Sequence, residues 1–160
     1  MKSFADVERD YIREKLLPDF EFESYDEPSR VNALGRPVST GTVALVVTAG
    51  AYLAGEQERF RRSKEGDPSF RELPHDVDLA RIGLSHGGYD TRRALDDVDV
   101  VFPLRALRTL ERSGRIGAAA PRHYSFMGYA IETDVLRDNG REVARRLRSD
   151  AVDLALLVPA

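Results

Sequence analysis

Two short stretches concentrate the side chains that can do chemistry. Residues 84–91, LSHGGYDT, and residues 114–128, GRIGAAAPRHYSFMG, hold two of the three histidines, two tyrosines, an aspartate and arginine beside glycine and alanine. That mixture is the one expected of a site on loops, where a missing Cβ lets backbone approach a ligand. His86 can donate a proton or steady an anion, since an imidazole suits both tasks. Asp90 either orients His86 or caps a helix that begins near Thr91. Arg122 offers a two-pronged donor to a substrate carboxylate, or else pairs with a neighbouring acid. Tyr124 and Ser125 can hold substrate oxygens, whereas Phe126 and Met127 read as core. The catalytic candidates are therefore His86, Asp90 and His123, and the substrate-binding candidates Thr48, Arg122, Tyr124 and Ser125. Two histidines and a carboxylate also make the composition of an open metal site. Glycines at 87 and 88 oppose the helix that would turn residues 86 and 90 to one side, so no metal is expected. His75, between Pro74 and Asp76, reads as a surface histidine.

The elements that must position these residues follow from periodicity. Residues 4–17 read as a helix with a partial apolar stripe (Val7, Tyr11 or Ile12, Leu16), ended by Pro18. Residues 19–40 are acidic, aromatic and broken by Pro28, Gly35 and Pro37, which favours an extended arm with one helical turn near residues 29–34. The run TVALVVT at 42–48 is a strand apolar on both faces, as in a parallel sheet. It leads into Ala49 and Gly50, which makes Thr48 a candidate wall for a ligand beyond the carboxyl end of a strand. Residues 52–77 form a long polar loop with turn chemistry at 66–69. Short strands are predicted at 80–85 and 97–102, and a helix from Pro103 to Ser113 with Leu104, Leu107 and Leu110 on one side. A helix is predicted over 133–149, with Asn139 and Gly140 as a place to bend or break. Residues 151–158, AVDLALLV, read as a buried strand. Alternating strands and helices predict an α/β fold with a mostly parallel sheet and flanking helices, Rossmann-like and three-layered. Residues 1–41 form a helix and arm, residues 42–160 the α/β domain.

Composition narrows the function classes. With a formal net charge of −3 and interspersed signs, the chain lacks the basic footprint of a nucleic-acid binder. The arginine pairs 61–62, 92–93 and 145–146 each have acids nearby and read as solvated faces. No apolar run is long enough to span a bilayer, and the charged N-terminus lacks a signal-peptide centre. A cytoplasmic location is the expectation. The sequence contains no cysteine, which leaves disulfides, thiolate ligands and thiol catalysis outside its own residues. It stops two residues after the last strand, where a fold of this class would continue into a covering helix, so it reads as truncated there; a partner covering that strand is the other reading.

Several stretches together carry a resemblance: VALVVTAGAYLAGE, EGDPSFRELPHDV, the long segment containing HGGYDT, DVVFPL and APRHYSFMG, and DAVDLALLVP. They resemble the component B (selenoprotein B) family of glycine, sarcosine, betaine and D-proline reductases over nearly all of residues 42–159. The resemblance implies reductive cleavage of a C–N bond in a small amino-acid-like substrate. It also implies a selenocysteine or cysteine in a U/C-x-x-C motif directly after the strand matching residues 154–159, just beyond Ala160. A UGA selenocysteine codon read as a stop accounts for the ending; a natural short paralogue is the alternative. A pyruvoyl group on a partner reductase subunit is implied as the amine activator, the partner otherwise being a second copy of this chain. The competing function is a non-catalytic domain that binds a small carboxylate or a reductase partner.

Overall fold

The computed structural model describes residues 2–22 and 32–160. The chain divides into two units, Met1–Ala33 and Leu34–Ala160. In the first, helix α1 (Phe4–Lys15) starts at Ser3, whose side chain accepts from Asp6 N–H while the Asp6 carboxylate accepts from Ser3 N–H. This reciprocal pair satisfies two of the donors that a helix start leaves free. Of the stripe expected on this helix, Val7, Tyr11 and Leu16 are exposed, as is Phe4, while Ile12 is half-buried. The helical turn expected near residues 29–34 lies largely outside the described residues.

The second unit is built on β1 (Thr42–Val47), buried on both faces as its sequence predicts. It is followed by β2 (Ala51–Leu53), β3 (Phe70–Pro74), β4 (Ile82–Leu84), helix α2 (Thr91–Asp96) and helix α3 (Leu104–Arg112). Then come β5 (Ala118–Ala119), β6 (Arg122–Phe126), helix α4 (Thr133–Ser149) and β7 (Leu154–Val158). β5, β6 and β7 all run parallel to β1, β7 on one side and β5 and β6 in succession on the other. β3 lies antiparallel outside β6, and β2 and β4 make a separate antiparallel pair. The fold is thus α/β as expected, but its sheet is mixed.

Period-two alternation sends β1 in two directions. Val43, Leu45 and Val47 join Ala94, Phe102, Leu104 and Leu107 in the core with α2 and α3. Val46 joins Tyr124, Phe126 and Val143 on the α4 side.

Five expectations change. Residues 82–84 are a strand, but they pair with β2 and not with the main sheet. Residues 98–100 are a single helical turn rather than a strand, because the Asp97 side chain accepts from Asp99 N–H and closes it. The expected loop at 52–77 contains β3 and part of β2. β7 is not buried: Leu156 is 46% and Leu157 71% exposed. Helix α4 passes unbroken through Asn139 and Gly140, the Asn139 amide donating to Pro68 O at 2.9 Å.

The joint between the two sheets is Gly50. Its N–H donates to Phe126 O (2.8 Å) and its carbonyl accepts from Ser85 N–H (2.9 Å). Its φ is +65°, and a Cβ there would lie 2.2 Å from Ser85 O. Gly55 also has a positive φ, but open space around it. Gly50→Ala should therefore lower stability to urea by about 3 kcal/mol or more, combining backbone strain with displacement of β4. Gly55→Ala should lose only about 1 kcal/mol, from backbone strain alone. Equal losses in the two variants would contradict the role given to Gly50.

Candidate functional site at the carboxyl ends of the parallel strands

Three parallel strands deliver their carboxyl ends to one corner. Thr48 N–H donates to Val158 O (3.1 Å), and the Thr48 hydroxyl accepts from Ala160 N–H (3.0 Å). The Gly50 joint brings the end of β6 and the exit of β4 to the same place. Ser125 Oγ accepts from Ala51 N–H at 2.8 Å, fixing the turn after β1 against β6. Tyr89 reaches back from beyond β4, and its hydroxyl donates to Ala49 O at 2.9 Å. In parallel sheets this is the end at which ligands are held, because the connecting loops diverge there and leave a crevice.

His86 occupies that corner and is only 6% exposed. Its Nδ1 accepts from Gly88 N–H at 2.8 Å, which leaves the proton of the neutral ring on Nε2. The Tyr89 ring lies 4.6 Å from it, tilted by 43°. Burial, and secondarily the charge of Arg62, lowers the His86 pKa below the usual imidazole value. The ring is therefore neutral at pH 7 and presents Nε2–H, which has no hydrogen-bond partner among the described residues. Gly128 faces this nitrogen. A Cβ there would stand 3.3 Å from His86 Nε2 and 2.9 Å from both Thr48 Cβ and Thr48 O, at a φ of +84°. Only glycine leaves the corner open.

The other candidates lie elsewhere. His123 is fully buried in the middle of β6, and its Nδ1 accepts from Leu45 N–H at 3.0 Å. The pairing of β1 passes from β5 to β6 at this point, and the imidazole takes the N–H that the ladder would otherwise have paired. His75 and Phe102 flank it at 5.8 and 6.1 Å between ring centres. Burial, then the charges of His75 and Arg108, push its pKa down to about 3. Its Nε2 is sealed without a partner.

Arg122, at the opposite end of β6 from Phe126, grips Asp150 through two nitrogens (2.8 and 2.6 Å) and reaches Glu72 at 3.4 Å. Tyr124 packs under α4, its hydroxyl buried and unpaired, and burial raises its pKa. Asp90 caps α2 by accepting from Arg92 N–H and holds the Arg92 side chain, whose hydrogen bonds lower its pKa. The structure brings Thr48 and His86 together with the end of β7, and adds Ser125 as a brace. It does not bring Arg122, His123, Tyr124 or Asp90 to them. Among the described residues no group of three or more His, Asp or Glu side chains is placed to hold a metal.

Tyr89 and Gly128 belong to the corner although their residue types alone did not single them out; a glycine two residues after the aromatic end of β6 was the available signal. A separate open cleft of about 450 Å³ is lined by Gln57, Arg59, Arg61, Asp67, Ser69 and Arg71. Asp67 there is occupied by Arg61 N–H and by the Ser69 N–H and hydroxyl, and Arg71 by Glu58 O and the Ser69 hydroxyl. With its central groups paired, that cleft offers less to a ligand than the His86 corner.

Residues 13–160 match the family model described as glycine/sarcosine/betaine reductase selenoprotein B. The chain belongs to that family. It is 38% identical over 117 residues to the D-proline reductase subunit gamma of Acetoanaerobium sticklandii, covering 72% of this chain and 47% of that one. It is 30% identical over 125 residues to the glycine reductase complex component B subunit gamma of Carboxydothermus hydrogenoformans, covering 76% and 28%. The corresponding subunit of Symbiobacterium thermophilum is 29% identical over 150 residues, covering 92% and 33%. The chain thus spans about half the length of the first of these relatives and about a third of the other two. No solved structure matches it significantly. No helix among the described residues is long and apolar enough to cross a membrane.

Within this selenoprotein B family member the two buried histidines carry different pH signatures. The unfolded chain binds a proton on residue 123 below about pH 6.5, which the folded ring refuses down to about 3. Stability is complete above pH 6.5 and falls as pH is lowered through that interval, by about 1.4 kcal/mol per unit from this group. His123→Asn, which keeps an acceptor for Leu45 N–H, should be less stable at pH 7 yet lose that slope between pH 6.5 and 5 in urea titrations. An unchanged slope would contradict a neutral His123 in the fold.

Proposed function

We propose that this chain forms one wall of the pocket of a reductase that cleaves the C–N bond of a small amino-acid-like substrate of the glycine, sarcosine, betaine or D-proline type. The observation carrying the proposal is the convergence of Thr48, the free Nε2–H of His86, and Gly128 where β7 ends. A side chain entering after Val158 would be directed at this corner by the two bonds between β7 and Thr48. A selenocysteine or cysteine beyond Ala160 would supply a soft anionic nucleophile, and a pyruvoyl group on a partner subunit a carbonyl that activates the amine.

The chain's own residues would bind and hold charge. With its pKa lowered, His86 is a poor proton source at pH 7 and a good neutral hydrogen-bond donor, so its role is to steady an anion at Nε2. The Gly88 N–H fixes the tautomer, and Tyr89 fixes the plane of the ring. A proton added to Nδ1 would oppose Gly88 N–H and release the turn, so the pocket loosens in acid. Thr48 holds the end of β7 in register. His123 is assigned to the scaffold, and Arg122 to the ion pairs that join β6 to the end of α4. The absence of cysteine favours the second reading, a non-catalytic domain that binds a small carboxylate or a reductase partner.

The two readings separate in the assembled reductase complex containing this chain. His86→Ala should lower turnover about 100-fold, the typical loss of one preorganised donor, with the complex intact. His86→Gln, which retains an N–H donor, should recover part of it. Turnover unaffected by His86→Ala would leave the non-catalytic reading.

A further inference from the structure

We propose that the hydroxyl of Tyr89 holds the place of a substrate N–H on the carbonyl of Ala49, and that Tyr89 is the lid of the His86 corner. This inference rests on the pocket reading above and narrows its substrate class to amines that still carry hydrogen.

His86 is 6% exposed and Ala49 is wholly buried, so a ligand reaches either one only where an enclosing group gives way. Thr48 is tied to Val158 O and to Ala160 N–H, and Gly128 has no side chain to move. Tyr89 is half-buried, its ring packed at the edge of the core that contains β1 and α2. It touches both groups in question. Its hydroxyl donates to Ala49 O at 2.9 Å, and its ring lies 4.6 Å from the imidazole. Ala49 directly follows Thr48, which puts this acceptor within the same corner.

The chain on either side of Tyr89 is fixed. Before it, Ser85 N–H donates to Gly50 O and Ser85 Oγ to Phe60 O, both at 2.9 Å. After it, Asp90 caps α2 by accepting from Arg92 N–H. Between these anchors lie Gly87, around which a Cβ would find open space, and Gly88. Two glycines in succession give this link the backbone freedom to let Tyr89 withdraw. Rotation beyond the Gly88 nitrogen leaves the bond from Gly88 N–H to His86 Nδ1 in place. The imidazole thus keeps its tautomer while the lid opens.

Opening carries a chemical condition. Burial raises the Tyr89 pKa, so the closed lid is a protonated phenol that donates to Ala49 O. A ligand that fills the space of the phenol also keeps water from that carbonyl. It must then donate a hydrogen itself, because a buried acceptor left without a donor is costly. The nitrogen of glycine, sarcosine or D-proline has a hydrogen to give, and the trimethylated nitrogen of betaine has none.

The test is an NMR titration of the full chain, ¹⁵N-labelled and ¹³C-labelled on its tyrosine rings, with sarcosine and with betaine. Sarcosine should shift the Tyr89 ring and the Gly88 and Gly128 amides, and betaine at the same concentrations should not. Tyr89→Phe keeps the ring and removes the competing hydroxyl. It should bind sarcosine about tenfold more tightly, the worth of one hydrogen bond, and still ignore betaine. Sarcosine affinity unchanged or weakened in Tyr89→Phe, or an equal response to betaine, would overturn the lid and leave the pocket standing. If sarcosine shifts none of these resonances in either protein, lid and pocket fall together.

Discussion

Gly50 receives the carboxyl ends of two structures at once. Its N–H is taken by Phe126 at the end of β6, and its carbonyl by Ser85 at the end of β4. Both bonds require its left-handed backbone and the lack of a side chain, since a Cβ would collide with Ser85 O. Through this residue the β2–β4 ribbon is attached to the main sheet in a register that brings His86 over the ends of β1 and β6. The remaining contacts of the corner, Ser125 with Ala51 and Tyr89 with Ala49, depend on that placement.

The two buried histidines show how one residue type serves two purposes. His123 replaces a missing ladder partner in the centre of the sheet, where burial keeps it neutral and no ligand can reach. His86 is nearly as buried but spends only one nitrogen on the backbone, leaving the other facing Gly128. Burial alone does not separate the two; what does is where the second nitrogen points and what stands there. The family to which the chain belongs includes reductase subunits, and the site proposed for this chain rests on that free nitrogen.

Much of the scaffold is legible in the sequence because its periodicities are strong. β1 reads as a strand buried on both faces, and α3 and α4 carry apolar residues at helical spacing; all three are present. β6 is not legible as a strand, because Arg122, His123 and Ser125 are polar types whose burial depends on partners distant in sequence: Asp150, Leu45 and Ala51. The same concentration of polar types suggests a loop site when read locally. Residues 98–100 fail for the opposite reason, being apolar enough for a strand while Asp97 closes them into a turn. The edge position of β7 is equally invisible, since LALLV is what a central strand would also show. Of the candidate site residues, Thr48 and His86 were reachable from the rule that ligands sit beyond strand ends and from glycines beside a histidine.

The state of the His86 ring is the most direct measure of whether this corner is built for a ligand. A long-range ¹H–¹⁵N spectrum of the full chain at pH 7 should show His86 as the neutral tautomer protonated on Nε2, with Nδ1 as acceptor. A ring protonated on Nδ1, or a cationic ring at pH 7, would mean that Gly88 does not hold it, and no donor would then be fixed toward Gly128.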